Sequence, residues 1–449
     1  MLARLIRSFK DNFCKERPMR TRSILLALTA AMALAGSVHP AAAQIGLPNL
    51  GNTGLGNTGV NLPVDLPVDL PLPALQERLE GLSGSVQRTA RRLLRVRTER
   101  IDDLIRQHRD LIERDARGEP ARRGELLMIA PTPAALAAVR QAGFAVTAAE
   151  EFGSLGLSIV RLTVPRGMSL SEAQEQLARI APDAEISADN LHFQSGSTSP
   201  TTLPLLANAA ANAPVAASIT APVGVIDGGV ESTPPVTSQR GFASGAPLAS
   251  HHGSAMVSLL AGAGTRDLRL ADIYGSDPAG GGALALIRAL DWLAGGGARV
   301  ISISLSGPEN AAVGRAIAAV QQRGVVVVAA VGNDGPAAPP AFPASYPGVV
   351  AVTAVDGRAR VLIEAGRAQH LDYAAPGADI LARNRSGNWV RVRGTSYAVP
   401  LVAARTAAAL DQDRNWRSRL DREAEDLGRK GPDAEYGRGL LCRDCARRR

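Results

Sequence analysis

Apolar positions follow two regimes along the 449-residue chain. Between about 124 and 195 short apolar runs alternate with amphipathic stretches. Glu125–Ala130, Phe144–Ala148, Leu157–Val164 and Ala184–Phe193 read as strands. Pro133–Ala142 and Leu170–Ile180 read as helices, the first opened by Thr132 with proline at its first turn. The β-α-β-β-α-β order predicts a small ferredoxin-like α+β unit over 124–195. From Pro222 onward the apolar runs become continuous. Val223–Ile226, Leu268–Ile273, Val300–Leu305, Val325–Val331, Val349–Val355 and Ile380 with its neighbours are the expected strands. His252–Gly262, Ala283–Leu293, Ala311–Gln322 and Ser396–Leu410 are the expected helices. Continuous apolar strands separated by helices predict a mostly parallel sheet covered on both faces, an α/β domain spanning 196–441.

The remaining segments are not core. Ser23–Ala35 is an apolar run of about 13 residues preceded by Arg20 and Arg22 and followed by small residues at Ala41–Ala43. That is the pattern of a signal peptide over 1–43, too short for an ordinary membrane span. Translation from Met19 would give it a normal n-region. Residues 44–75 are rich in Gly, Asn and Pro and predict a linker. Residues 76–123 carry Leu94, Ile101, Leu104, Ile105, Leu111 and Ile112 at helical spacing through 117, an amphipathic segment whose arginines read as a solvated face. After Phe193 the sequence loosens into SGSTSPTT, an exposed junction within reach of a protease.

Composition trims the options. The net charge is +8 and the aromatic content 3%. Lysine occurs only at 10, 15 and 430, and few rings are available to stack bases, so nucleic acid is not an expected partner. Export sets an oxidising context. Cys14 leaves with the signal, and Cys442 and Cys445 in the 442–449 tail would form a small disulfide or have no role. They lack the further ligands of a structural zinc site. No metal, no cofactor and no membrane span after signal removal are expected, and a monomer is the expected state.

Three segments stand at element ends where an open α/β sheet assembles its ligand site. VGVIDGG puts Asp227 after a buried strand, HHGSAMVSLLAG puts His252 at a helix entrance, and RGTSYAVPLVAA puts Ser396 at another. A serine hydroxyl becomes a nucleophile when an imidazole accepts its proton, and the imidazole is oriented by a carboxylate. These segments, in the order Asp…His…Ser, resemble the subtilisin-like serine proteases, the subtilases. VVVVAAVGNDG is similar to the strand that delivers the family's oxyanion Asn, here Asn333. ISISLSGPEN is similar to its substrate-pairing strand, here Ser304, Leu305 and Ser306. FPASYPGVVAVTAV and DLGRKGPDAEYGRGLL extend the likeness to about 222–441.

The resemblance implies peptide-bond hydrolysis through an acyl-enzyme, with protein or peptide substrates. It also implies that the 124–195 unit is a prodomain, an intramolecular chaperone and inhibitor removed by a cut between about Phe193 and Thr202. The chain departs from the pattern at Gly228, where the family usually has Ser or Thr. It departs again at Ser254, at Val399 and in an Asp-to-His interval of 25 residues. None of these removes a catalytic atom. The alternatives are an inactive peptide-binding module of the same fold, a nucleotide-binding α/β enzyme, disfavoured by the missing phosphate loop, and nucleic-acid or envelope binding through the arginine-rich helix.

Overall fold

The computed structural model describes residues 84–195, 197–202, 218–231, 235–413 and 415–445. The expected signal peptide and linker, and most of the Ala-rich stretch before Pro222, lie outside the described residues.

Helix α1 spans Gly84–Gln107 and buries Leu93, Leu94, Ile101 and Leu104 along one stripe. It ends earlier than the 117 expected. A turn in which Ile112 N–H donates to His108 carbonyl (2.9 Å) passes the chain into β1, Ile112–Arg114. A tight reversal follows, in which Asp115 Oδ1 accepts the N–H groups of Arg117 and Glu119 at 2.9 Å each. Strand β2 therefore begins at Pro120 rather than Glu125 and runs to Ile129. Its charged start, PARRGE, hid it from a hydrophobic reading. Next come α2 (Pro133–Gln141), β3 (Ala145–Phe152), β4 (Leu157–Thr163), α3 (Leu170–Ile180) and β5 (Glu185–Asn190). Thr132 caps α2, and a reciprocal Ser169–Glu172 capping box opens α3. β2 lies between β4 and β5, with β3 outside β4, all antiparallel, as the expected β-α-β-β-α-β unit requires.

The chain continues through β6 (Phe193–Gln194) and β7 (Ser197–Thr202) into the larger body. There, β8 (Val223–Asp227), β9 (Val236–Gly241), α4 (His251–Gly262), β10 (Leu268–Asp272), α5 (Ala283–Gly295), β11 (Val300–Ile303), β12 (Leu305–Ser306), α6 (Ala311–Gln322), β13 (Val326–Ala330) and β14 (Val350–Val355) alternate as expected. β15 (Tyr373–Pro376), β16 (Ala378–Arg383), β17 (Trp389–Arg393), a 3-10 turn (Thr395–Tyr397), α7 (Val399–Leu410) and α8 (Trp416–Glu423) complete it. Seven strands form one parallel sheet in the order β15-β14-β13-β11-β8-β10-β9. Ile380 does not join it. Its strand alternates buried and exposed positions and pairs antiparallel with β17, which also pairs with β7. One face of the parallel sheet is covered by α4 and α7, the other by α5 and α6.

The small unit is built into the larger one. Leu127, Ile129, Phe152 and Ile159 share an apolar cluster with Leu286, Leu290 and Ile317 of α5 and α6. Helix α5 has Gly282 at its N-cap and no cap of its own, and buried Asp189 of the small unit accepts the Leu284 N–H at 2.9 Å. Asn310, which caps α6, donates Nδ2 to the Ala188 carbonyl at 2.8 Å. The arginines of α1 are not simply solvated. Arg97 pairs with Glu119 (2.6 Å), and Arg100 reaches Asp334 beyond β13 at 3.0 Å. Among the described residues, no helix is long and apolar enough to cross a membrane. Cys442 and Cys445 are joined as a disulfide.

Candidate active site

Asp227 ends β8, a central strand, and its carboxylate is fully buried. Ser250 caps α4 by accepting the Gly253 N–H at 2.9 Å, which holds His252 in the first turn facing the strand end. Ser396 sits in the 3-10 turn between β17 and α7, just after Gly394 at φ +142°, a backbone conformation that glycine tolerates. His252 Nδ1 lies 2.8 Å from Asp227 Oδ2, and its Nε2 lies 3.0 Å from Ser396 Oγ. The three residues expected to act together are thus linked by hydrogen bonds. Asp227 also accepts the Gly228 N–H at 2.7 Å. Asp272, beside it in register on β10, accepts the N–H groups of Leu248, Tyr274 and Gly275. Burial holds its carboxyl above the usual carboxylate range despite those donors.

Asn333 follows β13. Its Oδ1 accepts the Thr395 N–H at 3.0 Å, which fixes the amide plane and aims Nδ2 at the serine turn. There Nδ2 donates to the Ser195 carbonyl, and the Ser396 N–H donates to the same oxygen at 3.1 Å. Two donors, one from a side chain and one from the backbone, converge on a carbonyl beside Ser396 Oγ.

The segment carrying that carbonyl lies in the cleft as an extra strand. β6 pairs antiparallel with β12, Gln194 opposite Leu305 and Phe193 opposite Ser306. Ser195 N–H donates to Ser304 carbonyl at 3.2 Å, and on the other side His192 N–H donates to Gly281 carbonyl at 2.8 Å. Ser304, Leu305 and Ser306, expected to pair with substrate, pair with the chain's own residues 193–195. This corrects the reading of an exposed junction after Phe193, because Ser195 is only 3% exposed. Loose composition signalled the end of a unit but not that its last residues enter the cleft.

Side chains follow the backbone in. Gln194 Nε2 donates to Asp227 Oδ1 at 3.1 Å, and Ser195 Oγ donates to Ser306 Oγ at 2.7 Å. The His192 ring packs where a Cβ on Gly307 would come within 2.7 Å of it, and the Tyr274 hydroxyl donates to His192 carbonyl at 2.8 Å. Arg100 of α1 stacks over the Phe193 ring, 5.7 Å from its centroid. Neither Gln194 nor Ser195 carried a sequence signal, since each matters only through a tertiary neighbour.

Residues 221–439 match the model of the subtilase family. Subtilisin of Bacillus pumilus is 30% identical over 244 residues, an alignment covering 49% of this chain and 88% of that protein. The chain belongs to the subtilase family. Against subtilisin E of Bacillus subtilis (strain 168) the identity is also 30% over 244 residues, and the chain spans 63% of that protein's length. Among solved structures, fervidolysin from Fervidobacterium pennivorans superposes with a TM-score of 0.57 at 18% identity, covering 73% of this chain and 61% of that one. The epidermin leader peptide processing protease of Staphylococcus aureus gives 0.55 at 17%, covering 71% and 96%. At such identities the structural matches speak for the fold alone, which is the subtilase α/β fold with a mainly parallel sheet.

Proposed function

We propose that this subtilase is an exported serine endopeptidase made as a self-inhibited precursor. The observation that carries the reading is the Ser195 carbonyl, which accepts from Ser396 N–H and Asn333 Nδ2 beside the Ser396 hydroxyl. In this mechanism Ser396 Oγ attacks a carbonyl carbon held there, and His252 Nε2 takes the hydroxyl proton. Asp227 fixes the His252 tautomer through Nδ1–H and stabilises the imidazolium that forms. The negative charge developing on the carbonyl oxygen is met by the Asn333 amide and the Ser396 N–H, donors that need no rearrangement at the moment of reaction. His252 then passes its proton to the leaving nitrogen as the C–N bond breaks. Water hydrolyses the resulting ester by the same route in reverse. The backbone of Ser304, Leu305 and Ser306 aligns extended substrates by strand pairing.

Residues 124–195 act as the prodomain. They block the cleft with their own last residues and brace α5 and α6 through Asp189 and the Ala188 carbonyl. Export rests on the apolar run Ser23–Ala35 and its flanks.

The test is labelling of purified protein with a fluorophosphonate, mapped by mass spectrometry, beside Ser396→Ala. Label on Ser396 that Ser396→Ala lacks supports the reading. A folded, processed protein that takes no label sinks it and leaves a peptide-binding module.

A further inference from the structure

The docked segment also bears on which peptide the cleft prefers. Its backbone pairing would suit any sequence, but two of its side chains meet specific polar groups. Ser195, whose carbonyl lies between the two donors, gives its hydroxyl to Ser306 Oγ at 2.7 Å, in a part-buried contact beside the serine turn. Gln194, one residue earlier, donates Nε2 to Asp227 Oδ1 at 3.1 Å. Gly228 lies beside that second contact. An ideal Cβ built there would meet Gln194 Nε2 at an ordinary contact distance of 3.4 Å but Ser250 Oγ at only 2.5 Å, so a larger residue would displace the α4 cap beside the carboxylate. The family usually carries Ser or Thr at that position, and this chain does not.

We infer that Ser306 and the Asp227 carboxylate beside Gly228 are specificity-determining groups, and that the enzyme favours peptides with glutamine followed by a small hydroxyl residue immediately before the bond cut. The inference rests on the proposed protease reading. In its own chain the bond cut is the one following Ser195. Ser396 Oγ bonds to the Ser195 carbonyl carbon while the bond to the nitrogen of the next residue breaks. The hydroxyl proton travels through His252 to that nitrogen, and water then frees the Ser195 carboxylate. Glutamine suits its position because it is neutral and donates to a carboxylate that is already bound to His252. Glutamate, the same size, would bring a second negative charge to the same oxygen. The Ser195 hydroxyl can both donate and accept, so it pairs with Ser306 whichever way that hydroxyl turns.

The experiment uses the full chain, allowed to process, and a quenched fluorescent peptide carrying His-Phe-Gln-Ser-Gly-Ser-Thr-Ser, the sequence of residues 192–199. N-terminal sequencing of the processed protein is expected to begin at Gly196, and a different first cut overturns the assigned bond. Replacing the peptide's Ser by Ala is expected to lower kcat/KM roughly fivefold, the scale of one neutral hydrogen bond. In Ser306→Gly the Ser-to-Ala ratio should fall to about one. Replacing Gln by Met should cost about tenfold or more, as for a hydrogen bond to a charged group, and replacing it by Glu should cost more than Met. Equal rates for Gln, Met and Glu, or a Ser-to-Ala ratio unmoved in Ser306→Gly, overturn the inference while hydrolysis of unfolded casein keeps the protease reading standing. No casein hydrolysis, no cut in the chain and no fluorophosphonate label overturn both.

Discussion

Two buried side chains near the end of the small unit, the proposed prodomain, are shifted in opposite senses. Burial pushes His192 down to about 4 and Asp189 up to about 6. Released into water they return to about 6.5 and 3.9. His192 binds fewer protons docked than free, so its contribution to docking is complete above about 6.5 and is lost as pH falls toward 4. Asp189 binds more protons docked than free, so docking strengthens as pH falls from about 6 toward 4. The two trends oppose each other over the same window. Wild-type prodomain affinity should therefore change little between pH 6 and 4. In Asp189→Asn, which keeps an acceptor for the Leu284 N–H, affinity should fall by roughly two orders of magnitude from pH 6.5 to 4. Titration of prodomain against Ser396→Ala enzyme across that range checks it. At the reaction centre, Asn333→Ala should lower kcat by about 100- to 1,000-fold with a much smaller change in KM, a range taken from the corresponding kind of donor in a subtilisin. Steady-state kinetics on a peptide substrate would show it.

Helix α1 is the element whose role changed most between sequence and structure. Its apolar stripe was legible from Leu94, Ile101 and Leu104, which are buried. Arg91 and Arg92 are exposed, as a solvated face requires, but Arg97 and Arg100 are not, because a charge on a helix says nothing of what faces it. Arg100 lies over Phe193 and against Asp334, and so helps hold the docked segment in the cleft. Arg100→Ala is expected to weaken inhibition by the cleaved N-terminal piece, which carries α1 together with the 124–195 unit, on the order of tenfold, read as a raised Ki with peptide substrate. Strand assignments divide in the same way. β8, β11, β13 and β14 are continuous buried runs that periodicity finds. β9, β15 and β17 were missed because they are short and alternate or sit at sheet edges. Ile380 was placed in the wrong sheet because apolar content alone does not distinguish a half-buried strand from a core one. Asp227, His252, Ser396 and Asn333 were legible because each sits at an element boundary in a recognisable local pattern. Gln194, Ser195 and Asp189 were not, since their partners are 33, 111 and 95 residues away.

Across the whole molecule, the 124–195 unit and the larger α/β body form one packed object. Leu127, Phe152 and Ile159 lie in the same apolar cluster as α5 and α6, and Arg288 of α5 pairs with Glu150. A single cut after Ser195 removes none of those contacts. The processed pieces should therefore co-elute in size-exclusion chromatography at the volume of the intact precursor. They should separate only after the prodomain is unfolded or digested, visible as two bands on a denaturing gel from one chromatographic peak.

The pairing of β7 with β17 has a bearing on time rather than on affinity. Ser197–Thr202 follows the bond after Ser195 almost at once, and its backbone is laddered to Val390, Val392 and Arg393, just ahead of the Ser396 turn. On the proposed reading, when that bond opens the strand that follows it is still paired to β17, a few residues ahead of the Ser396 turn. On that reading the new amine is expected to compete with water for the acyl group until the strand peels away, so that the first cleavage can reseal. The appearance of mature enzyme is then expected to be paced by the departure of one strand, which would make the small three-stranded sheet the clock of activation.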